Sequence, residues 1–187
     1  MSELRDEDIA KKVQNGDTES FGLLVERYEQ KMMRYARKFL FGRHDAEDLV
    51  QEVFLKAYIN IQGFDIKRKF SSWLYRIAHN EFINAIKKKR RLPFISFDID
   101  TLFSHLASEE TADREMNEKD LKEMLDSCLN KLDFKYREPL ILYYYEEMNY
   151  QEIAEVMRIP VSTVGIRLKR GREILKKTFG KQDNLYE

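Results

Sequence analysis

The sequence predicts an all-α protein of two small helical domains joined by a flexible acidic linker. Three observations point there. Only seven Gly and three Pro occur in 187 residues, less than half of the roughly 12% usual for the two together. Apolar residues recur at spacings of three and four through most of the chain, the period of one-sided helices. That period fails over residues 92–116, where the charge also turns acidic. The expected domains are therefore 1–91 and 117–187, with 92–116 as linker.

Each element follows from local chemistry. A short helix is expected from Asp6 to Gln14, stopped by Asn15-Gly16. Asp17 or Thr18 can cap the next, whose stripe is Phe21, Leu24, Val25, Tyr28, Met32, Tyr35 and Phe39, with Gly42 ending it. A third runs from about Asp45 to Ile61, with Ala46, Leu49, Val50, Val53, Phe54, Ala57, Tyr58 and Ile61 inward. Gly63 opens the polar loop GFDIKRKF, after which Ser71 or Ser72 is the expected cap of a helix reaching about Lys88. Helical spacing returns with Leu121, Met124, Leu125, Cys128, Leu129 and Leu132. Another helix is expected from Tyr136 to Glu147, with Pro139 tolerated near its first turn, where a missing amide costs little.

The stretch NYQEIAEVMRIPVSTVGIRLKRGREILKKTF is the most specific. Asn149 and Glu152 have capping-box spacing, Pro160 stops the first helix, and Ser162 or Thr163 starts a second. On that second helix Val164, Leu168, Gly171 and Leu175 lie within about 60° of one another, while Ile166, Lys169, Arg170 and Glu173 face away. This is a helix-turn-helix whose second helix suits a DNA major groove: Arg and Lys donate to guanine or phosphate, and Ile touches a thymine methyl.

Charge supports two nucleic-acid surfaces. The 33 basic and 33 acidic residues cancel overall, but 1–91 carries 19 basic against 14 acidic, 92–130 carries 3 against 10, and 131–187 carries 11 against 9. Segment 65–91 holds nine basic residues against Asp65 and Glu81, and 161–181 holds seven against Glu173. The KKKRR run at 87–91 suits phosphates. The single Cys128 has no internal disulfide partner, and the start MSELRDEDIA has no secretory pattern. No apolar run approaches the ~18 residues of a membrane span. A cytoplasmic chain without membrane insertion is the expectation.

Three ordered motifs, DAEDLVQEVFLKAY at 45–58, FSSWLYRIAHN at 70–80 and YREPLILYYYEEMNYQEIAEVMRIPVSTVGIRLKRGRE at 136–173, resemble bacterial RNA polymerase sigma factors of the sigma-70 superfamily, extracytoplasmic-function type. The resemblance implies a transcription initiation factor that binds core polymerase and reads the minus-ten element as melted strand and the minus-thirty-five element as duplex. It implies docking of Asp48, Gln51 and Glu52 on the clamp helices of the largest polymerase subunit, and contact with the flap of the second subunit. Asp45, Asp48 and Glu52 share a face away from the apolar stripe.

For the minus-ten element the implied readers are Phe64, Lys67, Arg68 and Lys69 in the loop, then Trp73, Arg76, Asn80, Asn84 and Lys87 on the following helix. An aromatic beside amides and cations suits single-stranded DNA, where stacking is worth ~1–3 kcal/mol per base. For the minus-thirty-five element they are Ser162, Thr163, Ile166, Arg167, Lys169, Arg170 and Arg172. Gly165 and Ile166 stand where the family commonly has a basic residue followed by Ser or Thr, so Ile166 is expected to shift the preferred element. Promoter DNA and core polymerase are the implied partners, with an inhibitory anti-sigma factor covering both modules as a further one.

Other classes fit less well. An enzyme could use His44-Asp45 with Asp48 and Glu52 around a divalent ion, but only His44, His79 and His105 exist, and none pairs at ligand spacing with a second His and carboxylate. No catalytic residue, metal or cofactor is expected. A helix-turn-helix regulator that binds operator DNA without replacing the sigma subunit explains the C-terminal motif but not the acidic helix or the tryptophan face.

Overall fold

The computed structural model describes residues 4–39, 43–91 and 118–183. Every regular element among them is helical. Helix α1 is Asp6–Gln14, α2 Phe21–Phe39, α3 Arg43–Asn60 and α4 Phe70–Arg91 in the N-terminal half. The C-terminal half holds α5 Glu118–Asn130, α6 Phe134–Tyr144, α7 Tyr150–Met157 and α8 Val161–Asp183. Gly42 and the expected linker 92–116 lie outside the described residues.

Helix α1 ends as its sequence dictates, with Gly16 at φ +101°, a backbone L side chains avoid. Asp17 caps a single 3-10 turn, Thr18–Ser20, by accepting from the Ser20 amide, and α2 follows directly. Gln14 donates to the carbonyls of Ile61 and Phe64 at 2.7 and 2.8 Å, so α1 holds the loop entering α4. The cap expected of Ser71 or Ser72 is replaced: α4 begins at Phe70, whose amide donates to Glu7 Oε1 at 3.0 Å. A carboxylate distant in sequence satisfies the first amide of the helix, where a local hydroxyl was expected to cap the start.

The N-terminal core is Leu24, Tyr28, Met32, Tyr35 and Phe39 of α2 against Ala46, Val50, Val53 and Ala57 of α3 and Phe70, Leu74, Ala78 and Phe82 of α4. Tyr58 departs from its expected inward position. It is 40% exposed, and its ring stands edge-to-face with Phe21 at 5.2 Å.

In the C-terminal half, α6 is buried from Arg137 through Leu142 with no polar side. One face packs on α8 and the other on α2 of the N-terminal half. Pro139 is the sixth residue of α6, beyond the first turn where it was expected. Pro139 has no amide to offer the Lys135 carbonyl, which lies in the first turn of α6. Gly171 permits the close packing of α8: a Cβ there would stand 2.9 Å from Leu140 Cδ1 and 3.2 Å from the Tyr136 carbonyl oxygen.

The two halves touch along α2 and α4. Phe39 meets Phe134 edge-on at 4.6 Å, and Lys38 bonds Asp126 at 2.5 Å while lying 4.0 Å over the Tyr145 ring. Arg34 forks onto Glu146 at 2.9 and 3.0 Å, and Tyr75 donates its hydroxyl to the same carboxylate. Glu138, fully buried, accepts from Tyr35 at 2.7 Å and sits 2.6 Å from His79 Nδ1. Burial, then the Glu138 charge, raises the Tyr35 phenol far above its ordinary range, so the hydroxyl stays a donor.

Candidate nucleic-acid interface

The loop before α4 is shaped by Asp65, which accepts from the Lys67 amide at 3.0 Å while its carbonyl takes the Arg68 amide at 2.9 Å. That turn leaves Lys67, Arg68 and Lys69 exposed. Phe64 is not presented with them. It is 4% exposed and packs on Phe70 and Trp73 at 5.5 and 5.1 Å, because the apolar ring gains more from the core than from water. It acts here as backing for Trp73, which is half-buried.

From Trp73 the α4 face continues through half-buried Arg76 to exposed Asn80, Asn84 and Lys87. Trp73, Arg76 and Asn80 line a cavity of about 370 Å³ with Lys56, Asn60 and Arg158. Asn60 donates to the Lys56 carbonyl at 2.7 Å, which orients its amide. Arg76 Nε is buried without a hydrogen-bond partner among the described residues. Burial, then the positive charges of Arg68 and Arg158, pushes its guanidinium below the ordinary value. An indole, two amides and three cations, beside the Glu81 carboxylate, line one cavity, a set that can stack and hydrogen-bond an unpaired base while holding its phosphate.

On α3, Asp48 and Gln51 are exposed and Glu52 is half-exposed, with Lys56 Nζ at 3.3 Å from Glu52 and 2.6 Å from Glu81. One turn further, Leu55 at 52% and Ile59 at 65% extend the same side with apolar surface. Sequence periodicity places neither in the inward stripe. Gln51 also lines a wider cleft of about 1000 Å³ between α2, α3 and the C-terminal half.

The helix-turn-helix forms as its residues require. The Asn149 side chain accepts from the Glu152 amide at 3.0 Å, and Glu152 accepts from the Asn149 amide at 2.8 Å. Arg158 ends α7 in a left-handed conformation, φ 53°, and α8 starts at Val161, placing Ser162 and Thr163 within its first turn. Ser162, Ile166, Lys169, Arg170 and Arg172 are exposed, while Thr163 and Arg167 are half-buried. Arg172 reaches the Tyr144 hydroxyl at 3.4 Å. Gly165 does not serve close packing: a Cβ there would meet Tyr150 at an ordinary 3.6 Å.

The halves bring together residues that sequence spacing could not. Arg158, from the turn between α7 and α8, shares a cavity with Asn80 of α4. Lys69 bonds Glu152 at 2.5 Å and Arg68 bonds Glu155 at 3.0 Å. Burial alone would raise the Glu152 carboxyl, but the Lys69 and Asn149 hydrogen bonds outweigh it and hold it below the usual range. No local motif signals these pairs.

Comparison with known proteins finds two family matches along the chain. Sigma-70 region 2 matches residues 24–92, and Sigma-70 region 4 matches residues 122–175. The chain is 37% identical over 173 residues to the ECF RNA polymerase sigma factor SigW of Bacillus subtilis, covering 89% of this chain and 92% of that one. It is 33% identical to the ECF RNA polymerase sigma-E factor of Haemophilus influenzae, over 93% and 95% of the two chains. Among solved structures, CnrH in complex with the cytosolic domain of CnrY superposes with a TM-score of 0.70 at 26% identity, covering 94% of this chain and 97% of that one. RpoE from Bartonella quintana, solved with the anti-sigma factor NepR, shares the fold with a TM-score of 0.67 at 23% identity, over 86% and 96% of the chains.

Proposed function

The chain belongs to the extracytoplasmic-function RNA polymerase sigma factors and directs transcription initiation at promoters, and from that premise we propose how its surfaces divide the work. The face of α3 bearing Asp48, Gln51 and Glu52 docks on the polymerase clamp helices, with Leu55 and Ile59 as apolar anchors beside the carboxylates. The flap of the second large subunit takes the C-terminal half. Loop cations Lys67, Arg68 and Lys69 follow the melted minus-ten strand, and the cavity beside Trp73, Arg76 and Asn80 holds one unstacked base. Asn84 and Lys87 continue that track. Helix α8 enters the minus-thirty-five major groove, with Ile166, Lys169 and Arg170 at the bases and Ser162, Thr163, Arg167 and Arg172 toward the backbone.

The carrying observation is the cavity on α4, because an indole, amides and cations converge there on a volume suited to a base. Protein work here is capture and positioning, so no group need act as acid, base or nucleophile. The site of action is the bacterial cytoplasm, where polymerase and chromosome lie. An anti-sigma factor is proposed as a further partner. Its support is that RpoE was solved with the anti-sigma factor NepR and CnrH with the cytosolic domain of CnrY.

Titration with core polymerase tests docking. The expected result is tight binding to core and weak binding to free promoter duplex. Reversing charge with Asp48→Lys and Glu52→Lys weakens core binding by at least about tenfold, since close interfacial charge pairs are worth more than 1.4 kcal/mol. Undiminished binding moves docking off this face. Tight duplex binding without core would favour the operator-binding regulator.

A further inference from the structure

We infer that Glu81 is a specificity-determining residue of the minus-ten cavity, selecting an unpaired base with an exocyclic amine, adenine or cytosine, over the keto bases guanine and thymine. The inference rests on the proposed role of that cavity and adds the chemistry of the base it accepts.

Segment 65–91 has two acids among its cations, Asp65 and Glu81. Asp65 has a local task, accepting the Lys67 amide in the loop turn. Glu81 instead lines the cavity beside Trp73, Ile77 and Asn80. A carboxylate there repels the phosphates that the surrounding cations attract. Its presence weakens strand capture unless a base edge donates to it.

Holding Lys56 does not account for it. Glu81 Oε2 accepts from Lys56 Nζ at 2.6 Å, but Glu52, one turn back along α3, already stands 3.3 Å from the same ammonium. The Lys56 side chain is 39% exposed, and a pair open to water in this way adds little to the fold. The pair also commits one carboxylate oxygen only. Among the described residues, Oε1 takes part in no hydrogen bond.

Trp73, Ile77 and Glu81 follow one another at four-residue spacing, so they form one ridge of α4. The first two give a base ring an apolar floor, and the third meets its edge. The Glu81 side chain is the more enclosed of the ion pair, 15% exposed against 39%. The carboxylate therefore meets the edge that enters furthest, with Lys56 nearer the mouth. A carboxylate only accepts. It takes a hydrogen from N6 of adenine or N4 of cytosine, while Lys56 donates to the ring nitrogen beside that amine. Guanine O6 or thymine O4 in the same place sets two acceptors against each other and turns a ring N–H toward the ammonium. Asn80 adds affinity without this choice, since its amide both donates and accepts.

The test uses holoenzyme formed from core polymerase and the full chain, on a promoter found by start-site mapping. Its minus-ten segment is held open by mismatches, and the non-template strand carries each of the four bases in turn at each position. With the unaltered protein, one position should favour adenine and cytosine over guanine and thymine in binding by about fivefold or more, the lower end of discrimination by a base-edge contact. Glu81→Gln, whose amide both donates and accepts, should remove that preference and leave those at other positions unchanged. Lys56→Gln should weaken binding to every sequence and keep the preference, because the carboxylate remains. If Glu81 acted only by orienting Lys56, both variants would lose it. Any pattern other than loss in Glu81→Gln and retention in Lys56→Gln overturns the inference. So does unaltered holoenzyme that discriminates bases in the melted segment but nowhere favours the amino pair. Holoenzyme with no base preference anywhere in that segment would overturn the proposed function of α4 itself.

Discussion

Replacing Lys169 and Arg170 together by Ala lowers promoter-directed initiation about a hundredfold and leaves the melting temperature unchanged. Both side chains are exposed on α8, opposite buried Val164 and Leu168, so their loss removes no packing. Each is placed to donate to a base edge or phosphate, and such contacts are worth about 1–3 kcal/mol apiece. Two lost contacts at the lower half of that range give roughly two decades in binding. Run-off transcription with core polymerase reads the loss, and a parallel thermal melt shows the fold. Ile166 is the companion position. At 53% exposure it presents an apolar tip, and Ile166→Ser should change which duplex sequences a selection recovers more than how tightly they bind.

Gly171→Val destabilises the C-terminal half by about 2–3 kcal/mol through overpacking. A Cβ alone would come within 2.9 Å of Leu140 Cδ1 and 3.2 Å of the Tyr136 carbonyl. Leu140 can shift a little; the backbone of α6 cannot, because its other face lies on α2. Gly165→Ala is the control. Its Cβ would meet Tyr150 at an ordinary distance, and relief of the glycine penalty should stabilise α8 by about 1 kcal/mol. Chemical denaturation of both variants reads the contrast. Equal effects would mean that helix propensity, not the α6–α8 approach, decides the outcome.

Local chemistry made much of this fold legible. The limits of α1 follow from its apolar spacing and Asn15-Gly16, and the capping box at Asn149 and Glu152 forms as its spacing requires. The exposed cations of α8 follow equally from a 3.6-residue period. What could not be read depends on chain segments far apart. The start of α4 is set by Glu7, 63 residues away. Pro139 sits deeper in α6 than its chemistry favours because the neighbouring helices bury that segment on both sides.

The candidate site divides along the same line. Asn80, Asn84 and Lys87 emerge on an exposed face, as helical spacing placed them. Phe64 instead turned inward, because apolarity in a loop does not say which side the ring takes. Arg158 joined the cavity, and Glu152 and Glu155 took the loop cations, through packing of the two halves that no periodicity encodes.

Start-site mapping after transcription of a genomic fragment library by core polymerase, with and without this protein, is the decisive measurement. With the protein present, transcripts should begin at a discrete set of positions that share one motif near minus ten and another near minus thirty-five. Those starts should fade with Lys169→Ala and Arg170→Ala. The same start positions with and without the protein, or new starts sharing neither motif, would contradict its role in directing initiation.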